Sequence, residues 1–265
     1  REEPPEGDPA ETPQAEVSAN TPSHPTPIRV TLNDGRKDIE SLLAPYLDRP
    51  VPMSTESVSR WRASGFRIVS VPIADLEGIQ AACRIVGQVQ RQWLGDVAEW
   101  TDAVRGPTLQ ERRVITLDNG VTGLEPGRLR LLVRCWTIPS GDGPDGATPA
   151  AHVEIAPRHD PTVPERDRML AAAGVRPEAQ PQFLAQLATS FSVREETALV
   201  FVPDSPEAEW AATATPPPAD SNSLTFGPNP VAPASFGEVM FSSPATRTTP
   251  RSRAIIALVI HIPAR

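Results

Sequence analysis

Lysine is nearly missing: Lys37 stands alone, and the other 24 of the 25 basic residues are Arg. The chain has 2 Cys, 1 Tyr and 4 His in 265 residues, and no run approaches 18 consecutive apolar residues. Each shortage excludes something. Two Cys cannot build a disulfide-dense scaffold or a four-Cys zinc site. Without a long apolar run, no transmembrane helix is expected. The 33 acids outnumber the bases and leave a net charge of −8, which argues against a nucleic-acid partner, because phosphate contacts need positive charge. The motifs Gly-x-Ser-x-Gly, His-Glu-x-x-His, the P-loop and Gly-x-Gly-x-x-Gly are all absent, and no cofactor is expected. Asp142-Gly143-Pro144-Asp145-Gly146 has carboxylates but lacks the further ligands of a calcium loop, so it reads as a turn.

Proline is in excess, at 32 residues, more than twice the usual ~5% share. Together with the 16 Gly it still falls short of the ~25–30% that marks a wholly disordered chain, so a packed core is expected. The excess is local. Residues 1–27 hold seven Pro and six acids (Glu2, Glu3, Glu6, Asp8, Glu11, Glu16) against Arg1, and nothing aliphatic larger than Ala except Val17 before the tail's end. Such a segment cannot bury enough apolar surface to offset its ordering entropy, and it reads as a disordered, semi-stiff spacer. It takes five of the eight net negative charges, so the remainder is nearly neutral. Eight more Pro fall in residues 203–234, expected as a long irregular loop. A chain that begins at Arg1 and opens on such a spacer is expected to follow a removed export signal, with a membrane tether upstream of Arg1 as one form of it.

Between these segments the pattern predicts an α+β fold: a small N-terminal α/β module over 28–106, then a mainly antiparallel sheet or sandwich with long loops over 107–265. Residues 28–33 alternate as a strand. Ile39, Leu42, Leu43 and Tyr46 fall at helical spacing, with a kink or stop at Pro45. Ser54 or Thr55 caps a helix carrying Val58 and Trp61 that ends at Gly65. Residues 66–73 read as a strand, Asp75 as the N-cap of a helix over 76–86, and 88–94 as a returning strand. Gly106-Pro107 marks the change of character. Strands are then expected over 112–117, 151–156, 183–193, 197–202, 236–241 and 254–262. Asp118-Asn119-Gly120 is a tight-turn signal and Arg194-Glu195-Glu196 a hairpin turn. A short helical piece is expected over 166–173. Leu129, Leu131, Val133 and Cys135 alternate with Arg128, Arg130, Arg134 and Trp136, which period two places on opposite faces. Residues 254–262 are apolar throughout, as in a central strand covered on both sides.

The chemistry on offer is sparse. His152-Val153-Glu154 puts two polar groups on one strand face and His159 follows. Two His and a carboxylate are metal ligands, so a metal-dependent hydrolase at His152, Glu154 and His159 is one alternative function. Against it, Pro157 is expected to end the strand before His159. Cys83 and Cys135 both fall on apolar faces. They read either as small buried hydrophobes or as a disulfide, if their Cα atoms lie within ~7 Å.

The distinctive pattern is Arg beside Trp: Arg60-Trp61-Arg62, Arg91-Gln92-Trp93 and Arg134-Cys135-Trp136. Guanidinium stacks on indole, and both residue types dominate binding hot spots. Arg60, Arg62, Trp93, Arg134 and Trp136 are the candidate interaction surface, with local core packing of Trp61 as the competing account. The leading expectation is a non-enzymatic exported protein of the periplasm or envelope that works through a protein partner. A Trp-based glycan-binding module is a further alternative.

Three stretches, Arg60-Trp61-Arg62-Ala63-Ser64-Gly65-Phe66-Arg67-Ile68, Gly127-Arg128-Leu129-Arg130-Leu131-Leu132 and Glu196-Thr197-Ala198-Leu199-Val200-Phe201-Val202-Pro203, resemble uncharacterised exported proteins of planctomycete-type bacteria. That resemblance implies an envelope location and brings no site residues. Phe236-Gly237-Glu238-Val239-Met240-Phe241, followed by Ile255 to Pro263 and Arg265, is similar to the closing strands of secretin-type channels. It implies a secretion-channel accessory protein, since the Pro/Gly-rich gate segment of that family has no counterpart here.

Overall fold

The computed structural model describes residues 25–33, 36–83, 85, 88–92, 94, 97–140, 148–162, 169, 180–205, 210, 233–243 and 252–262. The spacer over 1–24, the turn at 141–147, nearly all of the 166–173 helical piece and most of the 203–234 loop lie outside the described residues. The described chain runs β1 (Pro25–Asn33), α1 (Arg36–Leu43), α2 (Thr55–Ala63), β2 (Phe66–Pro72), α3 (Ile73–Ala82), β3 (Gln90–Arg91), β4 (Val97–Leu109), β5 (Arg113–Leu117), β6 (Gly120–Leu124), β7 (Gly127–Ser140), β8 (Thr148–Pro161), β9 (Gln182–Phe183), β10 (Thr189–Val193), β11 (Thr197–Pro203), β12 (Ala234–Ser235), α4 (Phe236–Phe241), β13 (Ser242–Ser243) and β14 (Ser252–Ile260). Strand dominates, with a few short helices.

Strands in the order β2-β11-β14-β1-β3, with β13 on β14, form a first sheet, and β10-β8-β7-β4, with β9 on β8, form a second. A small third sheet has the order β12-β5-β6, and its β5–β12 pair is parallel while the rest of the described pairs are antiparallel. The first two sheets share one core. Leu199, Phe201, Ile256 and Leu258 of the first pack with Leu129, Leu131, Val133, Cys135, Val153 and Ile155 of the second. The opposite face of the first sheet, with Val69, Val71, Val200, Ala257 and Val259, is covered by Ile39 and Leu43 of α1. β14 therefore lies between β11 and β1 and is buried on both faces over 254–260, as its unbroken apolar run predicts.

Local chemistry explains the helices. α1 runs into a 3-10 turn, Ala44–Tyr46, at Pro45, which cannot donate to the helical ladder. Ser54 caps α2 by accepting from the Ser57 amide at 3.1 Å. Trp61 on α2 is fully buried, edge-on to Phe66 (5.1 Å) and Phe201 (5.5 Å). The chain leaves α2 through Gly65 at φ +91°. Asp75 lies in the first turn of α3, where it accepts from the Tyr46 hydroxyl, and Pro72 occupies the cap position instead.

Several expectations change. Phe236–Phe241 is helix, not strand: Ser235 caps it by accepting from the Glu238 amide at 3.2 Å. Gly106-Pro107 is no boundary. It lies inside β4, within a register shift between Arg105 and Thr108, where a strand tolerates Gly and Pro. β8 continues through Pro157 to Pro161. The Pro157 carbonyl accepts from Leu184 on the side away from β7, so its missing N–H costs no bond to β7. Arg194-Glu195-Glu196 does not close a hairpin: β10 pairs with β8 and β11 with β14 and β2, so the link crosses between sheets. The expected module over 28–106 shares its sheets with the later chain, since β1 and β2 pair with β14 and β11 and β4 pairs with β7. Cys135 belongs to the core between the sheets, whereas Cys83 packs on the helical side of the first sheet.

Candidate interaction surface

The second sheet turns one face inward and the other outward, and its outward face carries most of the polar chemistry described. Period two on β7 places Arg128, Arg130, Leu132, Arg134 and Trp136 outward. Directly opposite them on β8 stand Asp160, Arg158, Ala156, Glu154 and His152. β4 adds Trp100, Asp102 and Arg105, β10 adds Ser190 and Ser192, and β9 adds Phe183, which pairs with Arg158.

These side chains form a continuous ladder. His152 lies tilted against Trp136, with ring centroids 4.6 Å apart. The Arg134 guanidinium lies 5.5 Å from the Trp136 ring and 4.8 Å from the Trp100 ring. Trp100 meets Phe183 at 6.1 Å, and Arg158 lies 5.9 Å from Phe183. Trp100 and Phe183 come from strands on either side of the β7–β8 pair, so their contact bridges that pair. Leu132 and Ala156, opposite each other on this face, are buried.

Carboxylates fix the cations. Arg134 Nε donates to Glu154 Oε2 at 2.6 Å. His152 shares a hydrogen bond with Ser192 Oγ at 3.3 Å and has Nε2 3.5 Å from Glu154 Oε1. Asp102 Oδ2 takes Arg105 (2.7 Å) and Arg130 (2.9 Å). Asp160 takes Arg130 (2.6 Å) and Arg158 (2.7 Å). Arg105, Arg130, Arg134 and Arg158 are thus each held by a carboxylate, and Arg134 and Arg158 also by an aromatic ring, so these cations are held in place before any partner arrives.

Of the residues singled out from sequence, the structure brings Arg134 and Trp136 together on this ladder. Trp93 lies outside the described residues. Arg60 and Arg62 are on α2. Arg60 Nη1 donates to the Gln186 carbonyl at 3.0 Å, Arg62 is exposed, and neither contacts Arg134 or Trp136 among the described residues. Sequence reasoning missed Trp100, Phe183, Asp102, Arg158 and Asp160. The Arg158-His159-Asp160 alternation continued the β8 pattern past Pro157 and was the signal for the last two.

His152, Glu154 and His159 do not converge. An odd separation on one strand puts His152 outward and His159 inward, where His159 is 2% exposed beside Gly127. Burial pushes the His159 imidazole below its usual pKa, against the opposing pull of a hydrogen bond to the Glu125 backbone and of nearby Asp160 and Glu125. Among the described residues no group of three or more His, Cys, Asp or Glu is arranged to hold a metal. No helix of the described residues is long and apolar enough to cross a membrane. No protein-family model matches the chain, and neither a curated protein nor a solved structure matches it.

Proposed function

We propose that the chain is a non-enzymatic, exported cell-envelope protein that acts by protein–protein contact through the outward face of its second sheet. The observation that carries this reading is the Trp136–Arg134–Trp100–Phe183–Arg158 ladder. Trp and Arg contribute most at interface hot spots, and groups already held in place lose little entropy when a partner arrives. The export part rests on the acidic, Pro-rich composition of residues 1–27 and on the resemblance noted above. Trp136 contacts Arg134 and His152, and Trp100 contacts Arg134 and Phe183, so both indoles are already engaged within the sheet face. The test is photocrosslinking in the native cell from Ser192, exposed on this face, and from Glu77, exposed on α3. A discrete adduct from Ser192 that disappears with Trp100→Ala or Trp136→Ala, and none from Glu77, is expected. Equal adducts from both positions, or none from either, would overturn the reading.

A further inference from the structure

The third sheet ends in an open edge. In the order β12-β5-β6, β6 pairs with β5 alone, and no other backbone group among the described residues bonds to Val121, Thr122 or Gly123. Leu117 and Gly120 flank a two-residue turn with no shift of register, so they form a hydrogen-bonded pair, and Ile115 with Thr122 forms the next. The N–H and C=O groups of Val121 and Gly123 therefore point away from β5, along the free edge. Native edges are commonly blunted by charge, Pro or a bulge, and Gly120–Leu124 has none of these. The outward face beside this edge is apolar as well. Val114 stands opposite Gly123 and Val121 opposite Thr116, and the two valines are 50% and 61% exposed.

We infer that β6 pairs antiparallel with the β6 of a second copy of this chain, about a two-fold axis through Thr122. This interface lies on the third sheet and stands apart from the contact reading for the second. Val121 of each copy falls opposite Gly123 of the other, and each such pair exchanges two backbone hydrogen bonds, which uses all the free edge groups of both residues. Thr122 meets Thr122, a cross-strand pair that sheets favour. β6 itself carries no charge, and the charges bordering it do not oppose their like. Glu125 falls opposite Asn119 and Asp118 opposite Pro126, Arg113 stays one strand back on β5, and Arg112 is paired with Glu125 at 3.4 Å. An unrelated partner would find on β6 no charge to select by, whereas the strand's own register sets a valine against a glycine twice. The interface is isologous, so it closes at two copies and leaves no edge for a third.

The test is sedimentation of the full chain across roughly a hundredfold range of concentration, over which mass action moves a monomer–dimer equilibrium. The mass is expected to climb from one copy to two and to stop there. A Cβ at Gly123 would stand 3.1 Å from Arg112 Nη2, so Val121→Lys brings an ammonium beside Arg112 of the other copy. It should weaken the dimer about tenfold through like-charge opposition. Val121→Thr, neutral and β-branched, should dimerise like the parent. Unfolding curves of both variants matching the parent exclude a folding artefact. In Thr122→Cys the new thiols face each other across the axis at a Cα separation of about 4.5 Å, within disulfide reach. Mild oxidation should link these copies, whereas Glu77→Cys, exposed on α3, should stay unlinked. A monomer at every concentration, a dimer indifferent to Val121→Lys, growth beyond two copies, or equal linkage from both cysteine variants would each overturn the inference and leave the Ser192 contact reading standing.

Discussion

Replacing Arg134 with Met removes the centre of the ladder while keeping an unbranched side chain of similar length. The loss can be worked from the contacts. Two ring contacts, at 4.8 Å to Trp100 and 5.5 Å to Trp136, are cation–π interactions at a partly exposed site, each worth about 0.5–1 kcal/mol. The pair with Glu154 has side chains 34% and 21% exposed, which places it toward the upper end of the ~0.2–1 kcal/mol seen for surface ion pairs. The expected destabilisation is about 2 kcal/mol, some of it offset by Met–indole contact. Urea unfolding followed by circular dichroism should show a lower midpoint with an unchanged slope, since the surface exposed on unfolding is the same. A double-mutant cycle with Glu154→Gln isolates the ion pair and should give a coupling of about 0.5–1 kcal/mol. Arg134→Lys should fall between parent and Met, because an ammonium keeps the charge but cannot stack as a plane. A loss below about 0.5 kcal/mol for Met, with zero coupling, would show that the ladder is a surface arrangement without energetic weight.

Two further perturbations follow. His159 is held neutral by burial, so its folded pKa lies below the ~6.5 of the unfolded chain. Above 6.5 both states are neutral. As pH falls through 6.5 toward the folded value the unfolded state protonates first, and stability drops by up to about 1.4 kcal/mol per pH unit from this residue. Equilibrium unfolding at stepped pH should show that drop flattened in His159→Gln. At the junction of α4 with Gly65, a Cβ on Gly237 would stand 2.0 Å from the Gly65 carbonyl oxygen, so Gly237→Ala should lower the melting temperature by about 8 °C. A Cβ on Gly78 meets nothing within 4 Å, so Gly78→Ala within α3 should raise it by about 2 °C, both read by calorimetry.

What the sequence made legible was set by short-range periodicity. The alternation of Leu129, Leu131, Val133 and Cys135 with arginines is the burial pattern of β7, and the uniform apolarity of β14 is its central place. The failures share a cause: a local signal was outweighed by a distant partner. Gly106-Pro107 looks like a break until β7 supplies the strand that β4 bulges against. Phe236–Phe241 has strand-like composition, yet six residues capped by Ser235 can turn as helix because Phe236, Val239, Met240 and Phe241 all find the inter-sheet core. Pro157 reads as a terminator only while the side on which its nitrogen faces is unknown. Strands 28–33 and 66–72 look like part of a local module because β2 pairs with β11 more than 120 residues away and the long pairing of β1 is with β14, more than 200 away; such pairings leave no mark in a window of the chain.

The ladder obeys the same logic one level up. Arg134 and Trp136 are neighbours on one strand face and were visible as a pair, but an Arg–Trp pair two apart is ordinary. What turns it into a surface is the arrival of Trp100 from β4, Glu154 from β8 and Phe183 from β9, three positions whose only relation is the order of the sheet. Long Arg and Trp side chains left alone on a sheet face would each lose rotamer freedom on binding, a cost of about 0.5–1.5 kcal/mol apiece. Here folding has already ordered them, through ring contacts on one side and carboxylates on the other. A face of this kind begins binding with that entropy already spent.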